Sequence, residues 1–240
     1  MSIYTTIFYQ PMFNALIWFY NVVPGKDIGL AIVLLTALLK ILLWPFSIQS
    51  LKSQKAMTEL QPKLKELQEK YKGKKEELAK ATMLLYSKEK VSPFSSCLPL
   101  LVQLPFLIAL YQVLRDGLAS KKFELLYSFI SNPGQVDPTF FGILNLAAPN
   151  FILALLAGGA QFLQSKMLST RRPPRSVAGK EGSKDEDTMA RMNKQMTYMM
   201  PAITVVISAG LPAGLALYWL ISSLLTVGQQ ALFLRTRHKP

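Results

Sequence analysis

The stretch IGLAIVLLTALLKILLWPFSI, residues 28–48, decides the fold, and Lys40 is its one charged residue. A helix needs about 20 apolar residues to cross the hydrocarbon core of a bilayer, and this stretch is long enough. Four further blocks of the same kind follow, at residues 97–114, 140–163, 196–211 and 213–234. The pattern predicts an all-α membrane protein with five transmembrane helices.

The blocks and the segments between them predict the organisation of the whole chain. We expect transmembrane helices at residues 24–49, 94–115, 140–166, 195–211 and 212–234. The connecting segments are predicted as a cytoplasmic helical hairpin (50–93), an outer loop (116–139), a flexible cytoplasmic loop (167–194) and a basic cytoplasmic tail (235–240). Residues 1–23 are rich in aromatic side chains and carry no charged ones, which favours a helix lying in the outer membrane interface. A sixth span or an uncleaved signal anchor is the alternative for that segment.

The composition excludes several classes of protein. Half of the 240 residues are hydrophobic and only 17% are charged, which argues against disorder and against an ordinary soluble domain. Cys97 is the only cysteine and His238 the only histidine, so a zinc cluster or a Ser-His-Asp triad has too few residues to be built from. We therefore predict no metal, no cofactor and no catalytic residue.

The distribution of positive charge predicts the orientation in the membrane. Of 27 Lys and Arg residues, 22 fall in residues 52–90, 166–194 and 235–239. Basic residues concentrate on the cytoplasmic side of membrane proteins. We therefore expect a multi-pass membrane protein with its N-terminus outside and its C-terminus in the cytoplasm.

The first predicted cytoplasmic segment has a helical pattern of its own. Apolar residues recur at a spacing of three and four from Met57 to Tyr71, Gly73 interrupts them, and the pattern resumes at Leu78. This predicts an antiparallel helical hairpin with charged outer faces. Its candidate interaction residues are Lys52, Lys55, Lys63, Lys65, Lys70, Lys72, Lys74 and Lys75. A solvated helical pair that binds no partner is the alternative interpretation.

Lys40 stands out because no Asp or Glu occurs in any of the five blocks. That absence disfavours proton relays, carboxylate-bound metals and aspartyl intramembrane proteases. Placing a lysine near the centre of a membrane helix costs about 2.5 to 3.5 kcal/mol on insertion scales. Its ammonium group must either reach water in a cavity or extend toward the cytoplasmic face. Thr36, Gln103 and further polar residues in the third and fifth blocks together favour a hydrophilic groove, although each one also suits a plain interhelical hydrogen bond.

Three motifs in this order resemble the YidC/Oxa/Alb family of membrane protein insertases. They are LLKILLWPFSIQSLKSQKAMTELQPKLKELQEKY (38–71), YSKEKVSPFSSCLPLLVQLPFLIALYQVL (86–114), and MNKQMTYMMPAI with LPAGLALYWLISSLLTVGQQ (192–203 and 211–230). The chain is similar to the short form of the family, without a large extracytoplasmic domain. The resemblance implies five helices around a hydrophilic groove that opens to the cytoplasm. It also implies a function in inserting and helping to fold nascent membrane proteins without nucleotide hydrolysis.

The resemblance also implies roles for individual residues. Lys40 occupies the position of an arginine in the family's groove, a departure that keeps the positive charge and loses the two-pronged geometry of a guanidinium group. Four further positions match groove-lining or client-contacting residues: Thr36, Gln103, Gln164, with Gln161 as the alternative to it, and Trp219. The implied partners are nascent membrane proteins, the ribosome, a Sec-type channel and anionic lipids, with no specific binding of DNA. A small-solute transporter or channel is the alternative function, and a membrane enzyme is the least supported one.

Overall fold

The computed structural model describes residues 3–91, 98–169 and 184–236, and most of them are helical. The helices are α1 (Gln10–Val22), α2 (Ile28–Leu42), α3 (Trp44–Lys70), α4 (Lys75–Lys88), α5 (Leu98–Leu118), α6 (Phe151–Ser169), α7 (Lys184–Ala209) and α8 (Ala213–Thr236). Two short strands, β1 (Thr139–Phe140) and β2 (Leu144–Asn145), pair antiparallel. Half of the loop predicted at 167–194 (residues 170–183) and most of the tail predicted at 235–240 lie outside the described residues. Residues 184–194 are not a flexible loop, because α7 already begins at Lys184.

The N-terminal segment belongs to the helical core. A π-helical turn at Thr5–Tyr9 leads directly into α1. Pro11 is tolerated because it lies in the first turn of α1, where a missing N–H costs little. Phe13, Leu16 and Ile17 are completely buried, and α1 packs against α2 and α5. The location of this helix in the outer membrane interface stays a prediction, and a helix that crosses the bilayer stays its alternative.

The predicted span at 24–49 is broken. The helix α2 ends at Leu42, α3 begins at Trp44, and the two helix axes differ by 64°. Pro45 explains the break, because it has no N–H to donate to the carbonyl of Ile41 and its ring crowds that carbonyl. Lys40 consequently lies in the last turn of α2 and not in the middle of a straight helix.

The predicted span at 140–166 is wrong in its first third. Residues 140–150 form the β1–β2 hairpin and an extended segment, and α6 begins only at Phe151. Phe141 and Gly142 have positive φ angles of 51° and 68°, which turn the chain between the strands. Pro149 disfavours helix at the residue before it, and Asn150 caps the helix by accepting a hydrogen bond from the Leu153 N–H at 2.9 Å.

Two glycines let the helices of the core approach closely. A side chain at Gly214 of α8 would contact Ile32 of α2 and Leu118 of α5. A side chain at Gly158 of α6 would overlap Val205 of α7. The resulting core is formed by α1, α2, α5 and α8, and α6 packs against both α7 and α8.

Asp116 organises the end of α5 that leads into the predicted outer loop. It is 4% exposed and accepts hydrogen bonds from Lys122 at 2.7 Å, Tyr9 at 2.9 Å and Arg115 at 3.2 Å. Burial by itself would raise the pKa of Asp116, but these three donors outweigh it and hold the pKa below its usual value. The carboxylate therefore ties the N-terminal segment to α5 and to the turn after it.

The helices α3 and α4 are joined by residues 71–74, where Gly73 has a φ of +80°. Leu60 and Leu64 of α3 are buried. Lys63 of α3 forms an ion pair with Glu89, the residue that follows α4, and its Nζ lies 2.5 Å from the Glu89 carboxylate. This geometry brings the two helices side by side. Their location in the cytoplasm stays a prediction.

The described residues contain one helix that is long and apolar enough to cross a membrane by itself, the stretch Ala213–Phe233 of α8. The bent pair Ile28–Leu42 and Trp44–Met57 qualifies as a second span if it is taken as one unit. Thr197–Ala209 of α7 is a shorter apolar stretch. The count of five spans therefore stays a prediction.

Candidate functional site

Lys40 forms the centre of the candidate site. Its Nζ donates a hydrogen bond to Oγ1 of Thr226 on α8 at 2.8 Å. The Thr226 hydroxyl donates its own proton to the carbonyl of Ser222 at 2.8 Å, so its oxygen is free to accept from the ammonium group. In the part of the chain that the structure describes, no carboxylate forms an ion pair with Lys40.

The break after Leu42 gives Lys40 a second source of stabilisation. The last carbonyls of a helix carry a partial negative charge, which favours a cation in the last turn by about 0.3 to 1 kcal/mol, and by up to about 2 kcal/mol where it is partly buried. Lys40 occupies this position at the end of α2. The helix terminus and the Thr226 hydroxyl together offset part of the cost of a lysine among apolar helices.

A small pocket adjoins the lysine between α2, α5 and α8. It is lined by Thr36, Leu39, Lys40, Leu43, Gln103, Phe106 and Tyr218. Its volume is about 10 Å³, close to the space that one water molecule requires. This pocket by itself is therefore too small for a client segment, although Lys40 is partly exposed.

Gln103 and Tyr218 form the other polar contact of the pocket. The side-chain amide of Gln103 on α5 donates to the phenol oxygen of Tyr218 on α8. Both this contact and the one between Lys40 and Thr226 join α8 to a neighbouring helix. A net contribution of about 1 kcal/mol is typical of a neutral hydrogen bond such as that of Gln103, and about 1.5 to 3 kcal/mol is typical of one from a charged group such as Lys40.

The structure brings three of the predicted groove residues together. Lys40, Thr36 and Gln103 all line the pocket. Thr36 is buried, and its hydroxyl donates to the carbonyl of Ile32 at 2.7 Å, within its own helix. Its contribution to the pocket is therefore mainly its shape.

The other three predicted groove residues lie elsewhere. Gln161 of α6 accepts a hydrogen bond from Thr204 of α7 at 2.6 Å, which is an interhelical contact. Gln164 lies nearly one turn further along α6 and does not line the pocket. Trp219 is partly buried against the core, also outside the pocket lining.

Sequence reasoning missed Tyr218 and Thr226 as members of the site. Thr226 is one of several polar residues in the fifth block, and Tyr218 is the neighbour of the predicted groove residue Trp219. Tyr218, Ser222 and Thr226 are spaced four residues apart, which places them along one side of α8. That spacing is the feature of the sequence from which Tyr218 and Thr226 could have been predicted as members of one site.

Two buried glutamines continue the polar residues of α8 beyond Thr226. Gln229 is 5% exposed and Gln230 is 2% exposed. Nε2 of Gln229 and Oε1 of Gln230 have no hydrogen-bond partner among the described residues. Each buried polar atom left unpaired costs about 1 to 3 kcal/mol, which makes this end of α8 favourable for a polar ligand atom.

The candidate lysines of the hairpin are partly neutralised by its own acidic residues. Lys55 pairs with Glu59 at 3.6 Å, Lys63 with Glu89, and Lys74 with Glu77 at 2.9 Å. The hydrogen bond and the charge of Lys63 lower the pKa of Glu89. The remaining candidates are the exposed Lys52, Lys70 and Lys72, together with Lys65 on α3 and Lys75 at the start of α4.

Comparison with known proteins identifies the family. The family model described as "60Kd inner membrane protein" matches residues 18–239. A membrane protein insertase YidC of Fusobacterium nucleatum is 37% identical over 204 residues, which cover 85% of this chain and 84% of that protein. A membrane protein insertase YidC of Syntrophus aciditrophicus is 36% identical over 223 residues, covering 92% of this chain but only 35% of that protein.

A solved structure agrees with this assignment. The crystal structure of an active YidC insertase with its first transmembrane domain resolved matches 97% of this chain and 47% of its own, with a TM-score of 0.60 and 26% identity. The chain thus spans most of the Fusobacterium relative and about half of the crystallised insertase. The family predicted from the motifs is confirmed: the chain belongs to the 60Kd inner membrane protein family, the YidC/Oxa/Alb family of membrane protein insertases.

Proposed function

We propose that this chain inserts nascent proteins into the bacterial plasma membrane and helps them to fold there. The insertase function is supported by the relatives named membrane protein insertase and by the match to an active insertase structure. The observation that carries the proposed mechanism is the Lys40 ammonium group, held between helices by a hydroxyl group and a helix terminus, with no carboxylate partner among the described residues. Such a cation is available to an acidic or polar group of a client.

The proposed reaction is an exchange of contacts followed by partition into lipid. A polar segment next to a client's hydrophobic helix replaces the contacts of Lys40 with Thr226 and of Gln103 with Tyr218. The hydrophilic groove forms as these helices separate, which lowers the cost of removing the polar segment from water. Transfer of the client's apolar helix into lipid then supplies about 25 cal/mol per Å² of buried apolar surface, so nucleotide hydrolysis is not needed.

The predicted arrangement in the membrane fits this reaction. We infer that the bent α2–α3 pair, α5, α6, α7 and α8 supply five spans, with the site facing the cytoplasm. The length of α5, 21 residues, and that of α6, 19 residues, support this count. The N-terminus would lie outside, and α1 at the outer interface.

The hairpin formed by α3 and α4 is the proposed docking surface for cytoplasmic partners. Its lysines give it a surface suited to ribosomal RNA and anionic lipid headgroups. A Sec-type channel is a further candidate partner. Of the six candidate lysines whose side chains the structure describes, three have an acidic partner, and the exposed Lys52, Lys70 and Lys72 leave positive charge on the hairpin.

Reconstitution tests the function directly. Proteoliposomes that contain this protein alone are supplied with a small single-span client, made in a cell-free extract and carrying an acidic segment to be translocated. We expect a protease-protected client fragment that protein-free liposomes do not give. Flux of small solutes without any protected client would instead favour the alternative function, a transporter or channel.

A further inference from the structure

The β1–β2 hairpin has a bulky apolar tip that the rest of the described residues do not cover. Phe141 is 64% exposed and Ile143 is 89% exposed. They flank Gly142 in the turn, and Phe141 has a φ of +51°, a conformation that bulky residues rarely adopt. The chain therefore holds a large apolar side chain outward in an unfavourable backbone conformation.

The hairpin is fixed firmly to the helical core. Asp27 caps α2 by accepting from the Leu30 N–H at 2.8 Å, and its second oxygen accepts from the Phe141 N–H at 2.6 Å. The Phe140 ring occupies the space left by the absent side chain of Gly29, and it stacks on the Phe141 ring with centroids 4.4 Å apart. A loop fixed in this way cannot turn its tip inward to hide Phe141 and Ile143.

The segment after β2 is equally well attached. The N–H of Ala213 donates to the carbonyl of Ala148, and the N–H of Gly214 donates to the carbonyl of Leu146, both at 3.0 Å. These bonds join the hairpin to the first turn of α8, the helix that can cross a membrane by itself. These bonds thus fix the position of the tip along the axis of the α8 span.

Charge and continuity indicate what the tip contacts. Residues 138–165 contain no charged side chain, so the hairpin and most of α6 form one uncharged stretch. Phe151 and Ile152 in the first turn of α6 are 65% and 69% exposed, and Leu155 and Leu156 continue this apolar surface along the helix. Exposed aromatic and apolar side chains near the end of a membrane-crossing helix are typical of the boundary between the lipid headgroups and the acyl chains.

We propose that the tip formed by Phe141 and Ile143 inserts into the outer leaflet of the membrane and anchors the outer end of the α2, α6 and α8 helices there. Its ligand is the acyl-chain and glycerol region of the phospholipids, not a specific headgroup, because the stretch has no charge to bind one. The anchor does not depend on whether the Lys40 site accepts a client. It gives the outer ends of the helices a fixed point while the cytoplasmic ends separate.

Accessibility of a spin label tests this proposal. The full chain with Cys97→Ser is given one new cysteine, by Ile143→Cys, Gln135→Cys or Leu224→Cys, labelled with a nitroxide and reconstituted into phosphatidylglycerol–phosphatidylethanolamine vesicles. Gln135 is an exposed residue of the same outer region, and Leu224 is exposed on α8. The measured quantity is the ratio of collision rates with oxygen, which concentrates in lipid, and with a water-soluble nickel complex.

The expected result is a ratio at position 143 severalfold higher than at position 135 and below that at position 224, because Leu224 lies 11 residues into the span, nearer the middle of the bilayer. A ratio at 143 equal to that at 135 would place the tip in water and overturn the proposal. Low collision rates with both reagents at 143 would show that protein covers the tip, from a second copy or another partner, and would overturn it as well. Client insertion by the three labelled proteins is measured separately, so failure of the proposed function is distinguishable from failure of the anchor.

Discussion

The ammonium group of Lys40 and the hydroxyl group of Thr226 are 2.8 Å apart and join α2 to α8. This contact links residues that are 186 positions apart in the chain. It also gives a cation among apolar helices a neutral partner, which a client replaces in the proposed mechanism. A carboxylate in the same place would hold the lysine far more tightly, and client binding would then have to break a buried ion pair.

The Thr226 contact predicts a specific pattern of stability. Thr226→Val keeps the shape of the side chain and removes the hydroxyl, so we expect a loss of about 1 to 2 kcal/mol in the free energy of unfolding. Thr226→Ser retains the hydroxyl and should lose much less. Unfolding in detergent micelles gives these values.

Thr226→Val in a protein that also carries Lys40→Met shows whether the loss of stability comes from the contact between Thr226 and Lys40. In Lys40→Met there is no ammonium group to bind, and Thr226→Val should then cost little further stability. An equal loss in both backgrounds would assign the effect of Thr226 to helix packing alone.

Gly158 and Gly159 offer a matched pair for the α6–α7 contact. A Cβ at Gly158 would overlap Val205 and approach the carbonyl of Pro201 to 3.1 Å, whereas a Cβ at Gly159 meets no atom within 4 Å among those described. We expect Gly158→Ala to lower the thermal unfolding midpoint. Gly159→Ala should leave it unchanged or raise it, because alanine favours helix over glycine by about 1 kcal/mol. Equal midpoints for the two variants would contradict the close packing of α6 against α7.

Asp116 predicts a dependence of stability on pH. Its pKa is lower in the folded protein than in the unfolded chain, because the hydrogen bonds from Lys122, Tyr9 and Arg115 outweigh the effect of burial. The stabilisation is therefore complete above the pKa of the unfolded chain and is lost as the pH falls through the lower pKa of the folded protein. Asp116→Asn should lower stability at neutral pH by about 1.5 to 3 kcal/mol.

The loss of unfolding free energy at acidic pH distinguishes the contribution of Asp116 from that of the other carboxylates. Asp116→Asn should flatten the decline in unfolding free energy between neutral and acidic pH, measured by denaturant titration across that range. The exposed Asp137, which has no ion pair among the described contacts, provides Asp137→Asn as a control that should keep the decline. An unchanged slope for Asp116→Asn would contradict the assignment.

The sequence predicted the helical class and the family because both depend on patterns that are visible in one chain. Long uncharged blocks identify membrane helices, and the motifs around Lys40 and from Leu211 to Gln230 identify the family. Three of the predicted groove residues, Lys40, Thr36 and Gln103, line one pocket in the structure, and their role in client binding stays a prediction.

The remaining features depend on local backbone chemistry and on distant partners. Pro45 was visible, but hydropathy alone could not show that it ends α2 and places Lys40 at a helix terminus. The uncharged residues 140–150 have the composition of a span, and the turn at Phe141 and Gly142 excludes them from the helix. Thr226 and Tyr218 became site residues only through contacts with Lys40 and Gln103, far away in sequence.

The central claim is that a positive charge at position 40 binds the polar segment of a client during insertion. The decisive measurement is the initial rate of insertion of a client with an acidic translocated segment into proteoliposomes, for Lys40→Arg, Lys40→Ala and Lys40→Glu. Lys26→Glu makes the same change of charge at an exposed position before α2 and serves as the control. The account predicts activity for Lys40→Arg and Lys26→Glu, a reduced rate for Lys40→Ala, and the lowest rate for Lys40→Glu; equal rates for Lys40→Glu and the unsubstituted protein would contradict it.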